Sequence, residues 1–313
     1  MSEKAKKWKR EKVKSFALAG VLCLICLGWS CRVSETQQAS RADATTMRTV
    51  TDDLGNDIKI PLKIERAVSL APNLTEDVFA VGAGDRLVGV TTYCDFPEQA
   101  KNIQKIGDTL NPNIETIVAI KPQIVLVSTA SQLEAFSKTL ADNGIAVYIT
   151  NPKSLDDVFR NLKQLGEVFG TQETAAKVVS DLTNRVESAS RQSSSIKPVR
   201  VFVQISKEPL FTIGKQAFVT EIVKRAGGES VTANIETAYP NLSKETALAL
   251  EPDVIILSDS PDNQEPNDAF KNSPAVKNGR VFRVNADLLS RPGPRLVDAL
   301  EQVAKDLHTQ ASK

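Results

Sequence analysis

The side chains that most often make or break bonds are scarce or scattered in this chain of 313 residues. One histidine, His308, stands close to the C-terminus, where the chain is expected to fray, so neither a Ser-His-Asp triad nor a histidine-rich metal site can be assembled. No glycine-rich phosphate loop, no G-x-S-x-G elbow and no HExxH motif occurs. Acidic residues are spread throughout with no pair singled out for acid/base work. What remains is recognition chemistry. Apolar Ala67-Val68-Ser69-Leu70-Ala71-Pro72 reads as a buried strand, and Asn73-Leu74-Thr75-Glu76 behind it has capping-box spacing. A strand feeding a helix N-terminus sets free backbone N–H groups at the C-terminal edge of a sheet, where open α/β sheets hold ligands. An ordinary capped helix has the same spacing. A second strand, residues 87–92, delivers Tyr93-Cys94-Asp95-Phe96-Pro97 to the same edge. Further on, the chain reaches Tyr239-Pro240-Asn241, and a strand over 280–284 leads into a segment carrying Asp287, Arg291 and Arg295.

The elements that must position these groups are organised around a repeat. Glu115-Thr116-Ile117-Val118-Ala119-Ile120-Lys121-Pro122-Gln123-Ile124-Val125-Leu126-Val127-Ser128 matches Glu245-Thr246-Ala247-Leu248-Ala249-Leu250-Glu251-Pro252-Asp253-Val254-Ile255-Ile256-Leu257-Ser258 without a gap. Each copy opens as a short helix with Glu in its first turn, stops at a proline and runs into an apolar strand. A strand apolar on both faces needs cover on both sides, as in a parallel α/β layer, so two copies imply two similar lobes. The first lobe is completed by an edge hairpin over 50–60, a short helix ending at Gly82, strands at 124–128 and 146–150, and a helix over 132–143. Another helix starts at Ser154 and ends near Gly166 or Gly170. Between the lobes, Ala175, Val178, Val179, Leu182 and Val186 recur at helical spacing. A helix over 171–191 is about 30 Å long, enough to link two lobes side by side. The second lobe has strands at 200–205 and 280–284, a helix over 218–226 and a closing amphipathic helix over 296–307.

The first 31 residues hold seven Lys/Arg and an apolar run over 16–27 that ends at Gly28-Trp29-Ser30-Cys31. This reads as an export leader, its apolar run shorter than the roughly 20 residues that span a bilayer. Cys31 after a small residue resembles a lipobox, with Gly28 and Trp29 departing from the usual pattern. Without the leader and its two glutamates, the 39 basic and 38 acidic residues become 32 and 36, a net of −4. No basic patch survives for nucleic acid. Of the four cysteines, Cys23, Cys26 and Cys31 lie in the leader. Cys94 is left alone, which excludes a disulfide framework and reads as a small buried hydrophobe. Residues 32–47 are polar and aperiodic, a flexible tether. The expected division is a leader at 1–31, a tether at 32–47, an N-terminal α/β lobe at 48–170, an interlobe helix at 171–195 and a C-terminal α/β lobe at 196–313.

This order of lobe, long helix and lobe behind an export leader resembles the iron-siderophore and vitamin B12 family of substrate-binding proteins that serve ABC importers. The resemblance runs from Arg48 to His308. The segments 67–76 and 87–97, with Ser290-Arg291-Pro292-Gly293-Pro294-Arg295, look most like its cobalamin-binding branch. It implies two Rossmann-like lobes with parallel sheets joined by one interlobe helix, the class III periplasmic binding fold, and transport rather than catalysis. The ligand implied is cobalamin, carried as cargo, with no cofactor and no metal ion held by the protein. Ferric siderophores and haem are the alternatives within the fold, and an exported α/β enzyme is the alternative outside it. By resemblance, Tyr93 packs on the corrinoid with Asp95 in the same segment, and Tyr239 faces it. Asp287 and Arg291 line the second-lobe rim, and Asn73 and Leu74 contribute from the first capped helix. Glu115 and Glu245 match the glutamates that dock to the paired permease subunits, which act with their ATPase. Cys31 would carry the lipid that holds the protein in the periplasm or cell envelope. Two departures stand out: Gly107-Asp108-Thr109-Leu110 replaces a Trp-bearing loop, and Ile205 stands where an aromatic residue is expected. A long linking helix also implies small closure, since bending it would break stacked hydrogen bonds.

Overall fold

Alternation along the two repeated strands dictates the layers. In the computed structural model, which describes residues 47–129, 134–193 and 197–309, Ile124 and Leu126 turn to one face of their sheet while Val125 and Val127 turn to the other. Val254 and Ile256 part from Ile255 and Leu257 in the same way. Successive strand residues point to opposite faces, so each sheet must be covered twice. Both are.

In chain order, β1 (Met47–Thr51) and β2 (Asp57–Pro61) flank a turn in which the Asp52 carboxylate accepts the backbone N–H groups of Leu54 and Asn56. Then come β3 (Ala67–Ser69), α1 (Pro72–Ala80), β4 (Leu87–Val90), α2 (Ile114–Ala119), β5 (Ile124–Ser128), α3 (Glu134–Asp142), β6 (Ala146–Thr150) and α4 (Leu155–Phe169). Strands β4-β3-β5-β6 form a parallel sheet in that order. Helix α5 (Gln172–Ser193) follows, 22 residues or about 33 Å at 1.5 Å per residue. The second lobe comprises β7 (Val199–Ser206), β8 (Phe211–Thr212), α6 (Phe218–Arg225), β9 (Gly228–Ser230), α7 (Lys244–Leu248), β10 (Val254–Asp259), α8 (Pro274–Lys277), β11 (Val281–Asn285), α9 (Ala286–Ser290) and α10 (Leu296–His308). Its sheet runs β11-β10-β7-β8 with β9 also on β7, all parallel except the short antiparallel β8. From Val50 on, the described residues form one compact unit. Helix α5 packs on α4 from one lobe and on α6 and α10 from the other, and Arg185 on it bonds Asp298 (2.6 Å) and Glu301 (2.6 and 2.9 Å) of α10.

Two expectations change. The capping box at Asn73 does not form: Ala71 is the N-cap, Pro72 takes the first helical position, and Asn73 lies inside α1. Proline's fixed φ and missing N–H suit that first position, which moves the helix start two residues earlier. His308 does not fray; it is the last residue of α10, and its Nε2 lies 3.0 Å from Ser193 Oγ on α5. The leader and its lipobox at Cys31, the tether up to residue 46, and the first two residues of the helix expected over 132–143 lie outside the described residues. Among the described residues no helix is long and apolar enough to cross a membrane.

Candidate functional site

Strands end at one edge of each sheet, and the segments leaving those ends meet across a cleft of about 620 Å³. Ala71, Pro72 and Asn73 follow β3, Tyr93 follows β4, Ser128 and Thr129 close β5, and Pro152 and Lys153 follow β6. From the other lobe, Gln216 and Ala217 lead into α6 at Phe218, Tyr239 precedes α7, and Asp287, Ser290, Arg291 and Pro292 follow the parallel strand β11. This is the crevice beyond the carboxyl ends of the strands in which open α/β sheets bind ligands. Its volume lies within the ordinary range of small-molecule pockets.

Two of the chain's three tyrosines stand in the cleft with exposed rings, Tyr93 at 60% and Tyr239 at 41%, while Tyr148 is core. Local backbone structure sets each. The Tyr93 loop is pinned by Lys105, whose ammonium donates to the carbonyls of Cys94 (2.7 Å) and Ala100 (3.1 Å), and by the N–H of Thr92 bonded to the Gly107 carbonyl. Cys94 is buried beneath it within 3.1 Å of both Thr75 and Thr91 hydroxyls, so the thiol is a hydrogen-bonded core group as well as an apolar one. Tyr239 is set by a close backbone crossing. Gly214 donates to the Ala238 carbonyl, and a Cβ at 214 would lie 2.0 Å from the Thr237 carbonyl oxygen, so only glycine fits there.

Below the tyrosines, a network of charges joins the lobes. Glu76 of α1, its side chain 2% exposed, accepts from Arg295 Nε (2.8 Å) and Nη2 (2.5 Å) and from Arg291 Nη1 (3.2 Å). Arg291 also bonds Asp95 at 2.8 Å and Asp287 at 2.8 Å. The Arg295 guanidinium sits 4.1 Å from the centroid of the Phe96 ring, within cation–π range. Asn73 Nδ2 donates to the Pro292 carbonyl at 3.4 Å. Burial opposes the charge of Arg291, but its bonds to Asp95 and Glu76 outweigh that and raise its pKa. Burial likewise pushes the Asp95 carboxyl up, and the hydrogen bond and charge of Arg291 outweigh it, leaving Asp95 below the usual carboxylate range. Asp77, fully buried beside Glu76, is driven well above its ordinary value by desolvation and then by that neighbouring charge.

The structure thus brings Asn73, Tyr93, Tyr239, Asp287 and Arg291 to one cleft, with Asp95 bound to Arg291 at its edge. It does not bring Leu74, which is fully buried in the core because α1 starts earlier and turns that position inward. Glu76, whose spacing from Asn73 fits the fourth position of a capping box, is instead an acid that pairs with arginines of the other lobe. Thr109, in the loop that departs from the cobalamin branch, lines the cleft, and Ile205 is a partly buried side chain packed on the core. Glu115 and Glu245 lie away from the cleft on exposed first turns of α2 and α7. Among the described residues no group of His, Cys, Asp and Glu could hold a metal ion.

A model of the family described as periplasmic binding protein matches residues 68–288. The chain is 34% identical over 245 residues to a vitamin B12-binding protein of Vibrio cholerae, covering 78% of this chain and 89% of that protein. It is 30% identical over 274 residues to YvrC of Bacillus subtilis, an uncharacterised ABC transporter substrate-binding lipoprotein, covering 85% and 87%. Among solved structures, the periplasmic vitamin B12 binding protein BtuF of Vibrio cholerae superposes with a TM-score of 0.69 at 31% identity, over 79% of this chain and 98% of that one. The periplasmic haem-binding protein RhuT of Roseiflexus sp. RS-1 shares the fold at 0.71 and 22% identity, over 80% and 100%. With two parallel-stranded α/β lobes, a long helix between them and the matching model over most of its length, the chain belongs to the periplasmic binding protein family.

Proposed function

We propose that the chain is an extracytoplasmic substrate-binding protein that captures a corrinoid in the interlobe cleft and hands it to an ABC importer. The observation that carries this is the pair of exposed rings, Tyr93 and Tyr239, presented from opposite lobes into one cleft. A large amphipathic disc gains most from flat aromatic contact plus a few rim polar groups. Gln216, Asn73 and Asp287 supply such groups here. The relatives named as vitamin B12-binding support the same reading over more than three quarters of the chain. Delivery would use Glu115 and Glu245 against the permease, and Cys31 would anchor the mature protein by a lipid.

Calorimetry with cyanocobalamin tests the ligand: one-to-one binding is expected, and silence with cyanocobalamin alongside tight binding of haem or a ferric siderophore would overturn it. The sole histidine bonds Ser193 and is no part of the cleft lining, so the bound corrinoid should keep its own lower base. A base-off absorption spectrum on binding would contradict that. For the anchor, Cys31→Ser should move the protein from the membrane to the soluble envelope fraction, and continued membrane retention would refute lipidation at that cysteine.

A further inference from the structure

Arginines at the floor of a cleft are ready-made receptors for carboxylate, phosphate or catecholate oxygens, since a guanidinium grips such groups with a planar fork. Arg291 lines this cleft and Arg295 lies four residues further on, at the N-cap of α10, yet neither has its fork free. Three carboxylates hold them. Glu76 takes both arginines at once, Asp95 and Asp287 take Arg291, and the Phe96 ring covers Arg295. Counting Lys153 at the rim, three cations in and under the cleft face three carboxylates. The next acid along α1, Asp77, adds no charge to the count: it is buried, its Oδ1 has no hydrogen-bond partner among the described residues, and desolvation favours its neutral form.

The members of this network are unequal in cost. Asp95 and Asp287 have side chains 52% and 37% exposed and can be rehydrated if Arg291 leaves them. Glu76, at 2%, cannot. An anionic ligand that drew Arg291 and Arg295 toward itself would strand a buried carboxylate without a counter-charge, which is among the most unfavourable changes a folded protein can undergo. We propose that Glu76 is a specificity-determining residue: by holding Arg291 and Arg295 it makes the cleft electrically neutral, so that a large ligand without net negative charge is accepted and polyanionic chelates are refused. Glu76 acts through the two arginines and touches no ligand itself. The inference rests on the reading of this cleft as the substrate site and adds the charge class of the substrate, through exclusion as well as attraction.

The test compares the full-length protein, purified in detergent, with Glu76→Gln and Glu76→Asp. Each is titrated by calorimetry with cyanocobalamin, which is neutral overall, and with the iron(III) tris-catecholate trianion. The unaltered protein should refuse the trianion. Glu76→Gln keeps the side chain's length, loses its charge and should bind the trianion at least about tenfold more tightly, with an affinity that falls as salt is added. Glu76→Asp keeps the charge and should restore refusal. An unmoved trianion affinity in a folded Glu76→Gln protein overturns the inference and leaves the corrinoid reading standing, as does an unaltered protein that takes both ligands equally well. Refusal by the unaltered protein and admission by Glu76→Gln, with no cyanocobalamin bound by either, would uphold the charge rule and overturn the corrinoid reading. If Glu76→Gln does not fold, the double variant Asp95→Asn, Asp287→Asn strips two acids from Arg291 at exposed positions. Glu76 still holds both arginines in it, so it should refuse the trianion as the unaltered protein does, and admission would overturn the inference by assigning the refusal to the exposed acids.

Discussion

Tyr93 and Tyr239 are exposed in a protein whose other tyrosine is core, and an exposed ring in a cleft has its stacking energy still to gain. Aromatic contact contributes roughly 0.5–1.5 kcal/mol beyond area burial. Tyr93→Ala and Tyr239→Ala should therefore each weaken cyanocobalamin binding by about tenfold, the factor that corresponds to ~1.4 kcal/mol. Neither should shift the melting temperature measurably, because little packing is lost at an exposed site. Tyr93→Phe should bind nearly as well as the parent; a loss as large as that of Tyr93→Ala would show that the hydroxyl, as in a haem ligand, is what matters. Acid should act on the network from its exposed end. Asp95 has a lowered pKa in the folded state, so its contribution is complete above the ordinary carboxylate value and is lost as pH falls through the lower folded value. Fluorescence or calorimetric titration should thus show a cleft unchanged between about pH 6 and pH 8, far above the ordinary aspartate value near 4. These residues also mark the limit of reading from sequence. Tyr93, Asp287 and Arg291 were legible because each follows a recognisable strand. The partnership of Glu76 with Arg291 was not, since it joins positions 215 apart in the chain and no local pattern encodes it. Leu74 failed for a different reason: a helix begun two residues earlier presents another face.

At the scale of elements, local chemistry is duplicated with the repeat. Asn113 caps α2 by accepting the Thr116 N–H, and Ser243 caps α7 by accepting that of Thr246. Arg66 bonds the carbonyl of Ile120 in one copy, and Arg200 bonds that of Leu250 in the other. Lys121 (φ 48°) and Glu251 (φ 42°) both take the left-handed conformation directly before the proline of their copy. Proline disfavours a helical residue before it, so the chain leaves each helix through this strained position instead of continuing. The repeat was legible as helix-proline-strand because propensity, capping and burial all agree there; the left-handed residues were not, because neither is glycine or asparagine. Helix α4 shows the same agreement at both ends. Ser154 accepts the Asp157 N–H, and Gly170 closes the helix at φ 68° with open space around its Cα. Ser154→Ala should lower stability by about 1 kcal/mol through the lost cap. Gly170→Ala should cost ~1 kcal/mol through left-handed backbone strain alone. The ends are about 22 Å apart along 15 residues, so urea unfolding of the double variant should show the two losses adding. A loss well below their sum would mean that the helix ends are coupled through α5.

For the whole molecule, the proposed delivery requires that one compact unit present both of its lobes to a permease. The twin helices α2 and α7 carry Glu115 and Glu245 at the same position of each copy, on exposed first turns away from the cleft. The Glu245 carboxyl is held below its ordinary value by bonds to its own helix-end N–H and to Ser243, so it is charged at neutral pH. A carboxylate in a first turn complements the helix dipole by well under about 1 kcal/mol at an exposed site. That alone would make both glutamates local features with no wider role. Docking makes a different demand, because a partner that contacts both lobes needs attraction at both ends at once and loses it if either end repels. Glu115→Arg with Glu245→Arg should therefore leave cyanocobalamin affinity and melting temperature close to the parent values while abolishing import in a transport-deficient host grown on limiting vitamin. Each single reversal should give a partial defect. Docking of the unaltered protein to permease in vesicles should weaken as salt is added, through screening. Normal uptake by the double variant would remove the glutamates from transport and leave the repeated helices as cover for their sheets.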